Sequence, residues 1–308
     1  MAPWGHGLLG LTQTYDRSEA TLRAMRRQGA RIVRLDLDMA AQPDAVERVL
    51  DPAIGLCNRM GVEVLVCVAY NPPELGPYHG APHDPIAWVE RARPHVERWA
   101  GRVRAYEWWN EPNHVTFWDP PSPRRYVELL RAAWSMQRRA DPDSLVISGG
   151  TAPVASTGGA YSQLDWTIAT HREGAGDFCH ALAAHPYPPS NYPPTVDATW
   201  NPVVQAGFMA YVSAQFSADR RPKPIWATET GVATGPRGVS EKVQAERLRQ
   251  LVGMWRRPDW SEWTGPLIWF GLRDSPGLDQ PHALAGLQRS DGRPKPAAAA
   301  FRELSRTT

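Results

Sequence analysis

Apolar runs of strand length and amphipathic stretches of helical length alternate eight times along this chain, and that alternation limits the fold more than any other feature. The strand-like runs are Gly7–Leu11, Arg31–Met39, Val62–Tyr70, Val103–Asn113, Leu145–Ser148, Phe178–Tyr187, Pro224–Gly231 and Pro266–Leu272. Between and after them, helical spacing covers Ser18–Gln28, Ala45–Met60, Asp84–Trp99, Pro123–Ala140, Tyr161–Glu173, Pro202–Ala218, Glu241–Arg256 and Pro296–Leu304. Ser18 or Asp16 caps the first helix and Gly29 ends it; Asp84 caps the third, and Pro123 opens the fourth. Val62–Tyr70 is almost continuously apolar, as a strand buried on both faces requires. No composition shift or linker interrupts the 308 residues, so the expectation is one α/β domain over 1–308, a single (β/α)8 TIM barrel.

A barrel of this type keeps its chemistry at the C-terminal ends of its strands. Polar side chains gather there: Arg34 on strand two, Asn110 and Glu111 on four, His185 and Tyr187 on six, Glu229 on seven, with Trp269 on eight. Strict alternation in strand four puts Tyr106, Trp108 and Asn110 on one face and Glu107, Trp109 and Glu111 on the other. Carboxylates on strands four and seven face each other across the barrel mouth. That arrangement can protonate a glycosidic oxygen from one side and attack the anomeric carbon from the other, with the separation deciding stereochemistry. Glu111, beside Trp108 and Trp109, has the apolar surroundings that keep an acid protonated. Arg34 and Tyr187 would keep Glu229 ionised as a nucleophile. The structural alternatives are a buried Arg34–Glu229 ion pair and a core histidine at 185.

Composition excludes several classes. Net charge is only +2 with Arg spread along helical faces, which calls for no nucleic-acid partner. No apolar run reaches membrane-spanning length, and the N-terminus carries no leader pattern, so the chain is expected to be soluble, with its location undetermined. Cys57, Cys67 and Cys179 read as small buried hydrophobes. Fourteen tryptophans against six phenylalanines, several near strand ends, suit the apolar faces of sugar rings. Gly149–Gly159 lacks the Lys-Ser/Thr of a phosphate loop and reads as a plain connection. The rim belongs to loops 71–83, 113–123 and 187–200, and in the last Tyr192 and Trp200 are expected to wall a groove. A metal-dependent hydrolase is the rival using His79, His83, His114, His180 and His185, but no His-x-His follows strand one and only Asp274 follows strand eight.

Taken together, Asn110-Glu111, Glu229, Arg34, His185, Tyr187 and Trp269 resemble the catalytic set of retaining glycoside hydrolases of clan A, over nearly the whole chain. The run Tyr-Glu-Trp-Trp-Asn-Glu-Pro-Asn followed by Phe117-Trp118 is most similar to glycoside hydrolase family 39 and the exopolysaccharide-cleaving enzymes grouped with it. The resemblance implies Glu111 as acid/base and Glu229 as nucleophile. Asn110 would bond the sugar 2-hydroxyl, Tyr187 and Arg34 would position the nucleophile, and Trp269 would form a sugar platform. His185, Trp118 and Tyr70 complete the expected substrate-binding set. Two features depart from the family: Met39 replaces the usual aromatic after the strand-two Arg-x-Asp, and no β-sandwich follows the barrel. The resulting expectation is an endo-acting, monomeric glycosidase for a β-linked polysaccharide or oligosaccharide, with no cofactor or metal and no nucleic-acid or membrane partner. Alternatives are an exo-acting xylosidase or arabinofuranosidase, or a non-catalytic carbohydrate-binding barrel.

Overall fold

A computed structural model describes residues 4–13, 16–187, 202–236, 238–277 and 283–307. The elements run β1 (Leu9–Thr12), α1 (Glu19–Gln28), β2 (Ile32–Asp38), α2 (Pro43–Arg59), β3 (Glu63–Ala69), α3 (Pro85–Arg98), β4 (Ala105–Asn110) and α4 (Pro123–Ala140). They continue with β5 (Leu145–Gly150), α5 (Gln163–Arg172), β6 (Leu182–Ala184), α6 (Pro202–Phe216), β7 (Ile225–Thr230), α7 (Glu241–Trp255), β8 (Thr264–Phe270) and α8 (Pro296–Leu304). The strands pair in parallel in the order β5-β4-β3-β2-β1-β8-β7-β6. Parallel bridges Ile147–Ala181 and Thr151–Ala184 join the two outer strands, so the sheet closes into a (β/α)8 barrel.

Local chemistry sets the helix ends. The Ser18, Ser122, Ser162 and Ser240 hydroxyls and the Asp84 carboxylate each accept from a backbone N–H of the first turn, and Gly29 ends α1 at φ 107°. Strand ends differ from the sequence expectation: β4 covers only Ala105–Asn110 and β5 runs on to Gly150. Phe178 belongs to a short 3-10 helix, Ala175–Phe178, so β6 begins only at Leu182. β8 begins at Thr264 and ends at Phe270, before Leu272. The three cysteines are buried and unpaired.

Period-two alternation builds the barrel interior in layers. Ile32, Leu65, Ala105, Ile147, Ala181, Ala183, Trp226 and Ile268 form a buried cluster inside the sheet. Two glycines make room in this cluster: a Cβ on Gly265 would lie 2.4 Å from the Trp226 indole, and one on Gly10 2.7 Å from Ile32. Burying each large side chain contributes roughly 1.5–3 kcal/mol. Two residues further along the same strands come Arg34, Cys67, Glu107, His185, Thr228 and Phe270. The apolar floor therefore turns directly into a polar layer beneath the barrel mouth.

Candidate active site

Arg34 is the hub of that layer. Its side chain is 2% exposed, and Nε donates to Glu107 Oε2 at 2.7 Å. Nη1 reaches Glu229 Oε1 at 2.6 Å and Asp36 Oδ1 at 3.1 Å, while Nη2 donates to Asn110 Oδ1 at 2.9 Å. One rigid guanidinium thus ties β2 to β4 and β7, and a fork of this geometry is what holds several oxygens at once. Asp36 has a second counter-ion in Arg17, 3.6 Å away. The Tyr187 hydroxyl donates to the other oxygen of Glu229, Oε2, at 3.0 Å. Burial and the adjacent Glu229 carboxylate hold the Tyr187 phenol protonated well above its ordinary range, so it remains a donor.

Both carboxylate-bearing strands abandon alternation at their last residues. In β4, Trp109 takes φ 82° and Glu111 φ 48°, conformations that cost about 1–3 kcal/mol each for side chains of this size. The turn at Trp109 leaves Trp108 and Trp109 on the helix side, where Trp108 Nε1 donates to Gln137 and Trp109 Nε1 to the Phe117 carbonyl. Asn110 and Glu111 then both point into the mouth. In β7 the pairing with β8 shifts register between Ala227 and Thr230, which lets Thr228 bond Glu107 at 3.0 Å while the next residue, Glu229, also faces inward. The alternation expected for β4 therefore needs two corrections. Asn110 lies with Glu107 and Glu111, and the indoles that were to shield Glu111 face away from it.

The group that meets Glu111 is His185. Fully buried, its Nδ1 lies 2.8 Å from Glu111 Oε1 and 3.8 Å from Glu229 Oε2. Those two legs from one nitrogen place the carboxylate oxygens no more than about 6.6 Å apart. Nε2 stands 3.8 Å from Glu107 Oε1, beyond hydrogen-bond reach but close enough for its charge to be felt. Burial opposes a charge on this ring, yet Glu229, Glu107 and Glu111 outweigh it and lift the imidazole to about 10. Glu107 is the complement. Burial would raise it, but Arg34 and then His185 hold it down at about 2. It also accepts from the Gly150 N–H at 2.9 Å.

Other expected residues are placed differently. Trp269 is fully buried on the outer face of β8, donating from Nε1 to the Ala285 carbonyl at 2.8 Å, and offers no face to a ligand. Two residues past the inward-facing Ile268, the neighbour of Trp269 takes the mouth instead: Phe270 is half-buried, its ring 6.5 Å from that of Tyr187. Trp118 is also fully buried, edge-on to Trp109 at 4.7 Å and Tyr126 at 5.8 Å, and is rim core rather than a sugar surface. Tyr70 stays at the site, half-buried, its hydroxyl 3.4 Å from Asn110 Nδ2. Tyr192 and Trp200 lie outside the described residues.

Three residues escaped the sequence reading. By strict alternation Glu107 falls with Trp109 and carries no mark of a role, Phe270 is overshadowed by the larger Trp269, and Gly150 lies in a stretch that reads as a plain loop. A Cβ on Gly150 would lie 2.2 Å from His185 Nε2 and 2.6 Å from Glu107 Oε1, so only glycine lets those two groups approach. A glycine inside a strand signals such an approach. Among the described residues no set of three His, Cys, Asp or Glu side chains is arranged to hold a metal ion. His180 accepts from the Val146 N–H, His79 packs between Tyr78 and Phe117, and Asp274 binds Lys295 at 2.8 Å. No described helix is long and apolar enough to cross a membrane.

No protein-family model matches the chain, and no curated protein matches it in sequence. Solved structures do. A family 39 glycoside hydrolase from the gut symbiont Bacteroides cellulosilyticus WH2 superposes with a TM-score of 0.74 at 21% identity, over 98% of this chain and 64% of that one. The GH39 enzyme from Xanthomonas axonopodis pv. citri gives 0.71 at 18% identity, over 97% and 66%. A GH5_18 enzyme from Streptomyces cattleya in complex with GlcNAc gives 0.72 at 16% identity, over 98% and 80%. The (β/α)8 barrel described above is the fold of these enzymes, and the chain spans about two thirds of the length of the first two.

Proposed function

We propose that this protein is a retaining glycoside hydrolase, with Glu111 as acid/base and Glu229 as nucleophile. The observation that carries the reading is that both carboxylates meet one imidazole. The resulting bound of about 6.6 Å on the oxygen separation suits the 5–5.5 Å of retaining enzymes better than the 6.5–9.5 Å that admits a water. Each side chain is partly open, at 14% and 13%.

The donors around them separate the roles. Glu229 receives Arg34 on one oxygen and Tyr187 on the other, which suits an anion aimed at the anomeric carbon. The charges of Arg34 and His185 balance those of Glu107 and Glu229, with Asp36 offset by Arg17. Glu111 is the carboxyl left to pass a proton to the leaving oxygen. Attack by Glu229 forms the glycosyl-enzyme as Glu111 protonates the departing oxygen. In the second half Glu111 takes a proton from water, which displaces Glu229. Asn110 is held by Arg34 beside Glu111, where its amide reaches the sugar 2-hydroxyl, and Phe270 and Tyr70 face the ring.

The substrate is a β-linked polysaccharide or oligosaccharide, cut internally, by one barrel domain acting as a monomer. Reducing-end release and viscosity over β-glucans, xylans, mannans, galactans, arabinans and bacterial exopolysaccharides test this, with Glu111→Ala and Glu229→Ala beside the wild type. Early loss of viscosity marks internal cutting, whereas release of single sugars at constant viscosity supports an exo enzyme. A glycan that binds and is never cut would favour a binding barrel.

A further inference from the structure

A second polar pocket lies on the rim between the first and last strands. Past Phe270 the chain crosses to the β1–α1 loop: Leu272 N donates to the Thr12 carbonyl at 3.3 Å, Arg273 N to Gln13 Oε1 at 2.8 Å, and Gln13 Nε2 to Ser275 Oγ at 3.3 Å. Between the two loops is a cavity of about 260 Å³, lined by Gln13, Asp16, Thr21, Arg273, Asp274 and Ser275.

Arg273 is the unexplained group there. Its Nε is buried with no hydrogen-bond partner among the described residues. The cations nearby are all engaged: Arg17 with Asp36, Arg34 with its four oxygens, Lys295 with Asp274, Arg289 with Glu241. A half-buried donor left without an acceptor is costly, and such groups in native proteins generally have one. Asp16 lines the same cavity, its carboxylate steadied by the Thr21 hydroxyl at 2.6 Å and the Ser18 N–H at 3.1 Å.

The pocket therefore offers a planar fork of donors, a carboxylate acceptor, an amide and a hydroxyl. Asp16 and Asp274 disfavour an anionic ligand, and the polar lining disfavours an apolar one. Adjacent hydroxyl groups on a sugar, each both donor and acceptor, match it. We propose that this pocket is a subsite for a further neutral sugar unit of the substrate chain, with Arg273 and Asp16 as its hydroxyl-binding residues. The inference rests on the glycosidase reading and narrows it, because an enzyme with this subsite prefers chains that extend past the sugar on Phe270.

The test compares β-linked cello-, xylo- and manno-oligosaccharides of increasing length with the 4-nitrophenyl β-glucoside, β-xyloside and β-mannoside. Wild type, Arg273→Met, Arg273→Lys and Asp16→Asn are assayed together. In the series that is cut, Arg273→Met should lower the long-to-short ratio of kcat/KM by about 10- to 100-fold, mostly through KM, as loss of hydrogen bonds from a charged group implies. Arg273→Lys should fall between, and it carries the comparison if the Met variant melts early. Equal losses on both substrates, or an unchanged ratio, would overturn the subsite while leaving the glycosidase reading standing. Faster cleavage of uronate-bearing oligosaccharides through Arg273 would overturn the neutral-sugar assignment. A wild type that cuts nothing would overturn the reading and the subsite together.

Discussion

Replacing Glu107 by glutamine removes one charge from a fully buried carboxylate and changes little in shape. Its oxygens accept from Arg34 Nε, the Gly150 N–H and the Thr228 hydroxyl, so an amide nitrogen in place of either oxygen turns a donor against a donor. The carboxyl sits at about 2, against an ordinary value of 4.5. That difference, at about 1.4 kcal/mol per unit, corresponds to about 3 kcal/mol, in line with the roughly 3–5 kcal/mol for breaking a buried ion pair. A pKa depressed on folding gives stability that is present above 4.5 and is lost as pH falls towards about 2. Glu107→Gln should therefore lower the melting temperature at pH 7 by roughly 5–10 °C, and the gap to wild type should narrow below pH 4.5. Activity carries a second signature. His185 is raised to about 10, so its favourable charge is present below about 6.5 and is lost as pH rises through 10. Without Glu107 the ring loses its proton at lower pH, and the alkaline limb of kcat/KM should move down. Equal melting temperatures at pH 7 together with an unmoved alkaline limb would refute the charge reasoning.

Gly150→Ala should cost about 1–3 kcal/mol and most of the activity, because His185 and Glu107 must both shift; full activity in a stability-matched assay would show that the approach is not needed. Phe270→Ala should raise KM with a modest loss of stability, whereas Trp269→Ala should lose about 3–5 kcal/mol of folding stability and leave KM of the folded fraction near wild type. Denaturant titration and steady-state kinetics separate the two. Tyr187→Phe, which loses one hydrogen bond to a carboxylate, should lower kcat/KM by about 10- to 100-fold.

The sequence made the barrel legible because its signals are local and repeated. Pro123–Ala140 and Pro296–Leu304 are helices over the range their spacing predicts, and Ser18, Gly29 and Asp84 sit at the ends their chemistry predicts. The sequence singles out Arg34, Asn110, Glu111, His185, Tyr187 and Glu229 because polar groups at the ends of apolar strands stand out, and the structure brings these side chains together. The faces they occupy were not legible. Period-two counting holds from Ile32 to Arg34 and from Ala105 to Glu107, but it fails where Trp109 turns left-handed and where β7 slips against β8. In β8 the counting holds, and the miss has another cause: Ile268 faces the barrel interior, so period two puts Phe270 in the mouth and Trp269 outside, but the sequence alone does not mark which face of β8 is the inner one. Glu107 gave no signal of its own, since its role depends on Arg34 and Gly150 meeting it across the barrel.

The central claim, a double displacement by Glu111 and Glu229, is tested most directly by the anomeric configuration of the first product. Proton NMR during early hydrolysis of a β-glycoside the enzyme accepts should show the β-anomer forming first, with the α-anomer following only through mutarotation. Initial release of the α-anomer would contradict the account. It would mean that the two carboxylates stand far enough apart for water to attack directly, and Glu229 would then be the base rather than the nucleophile.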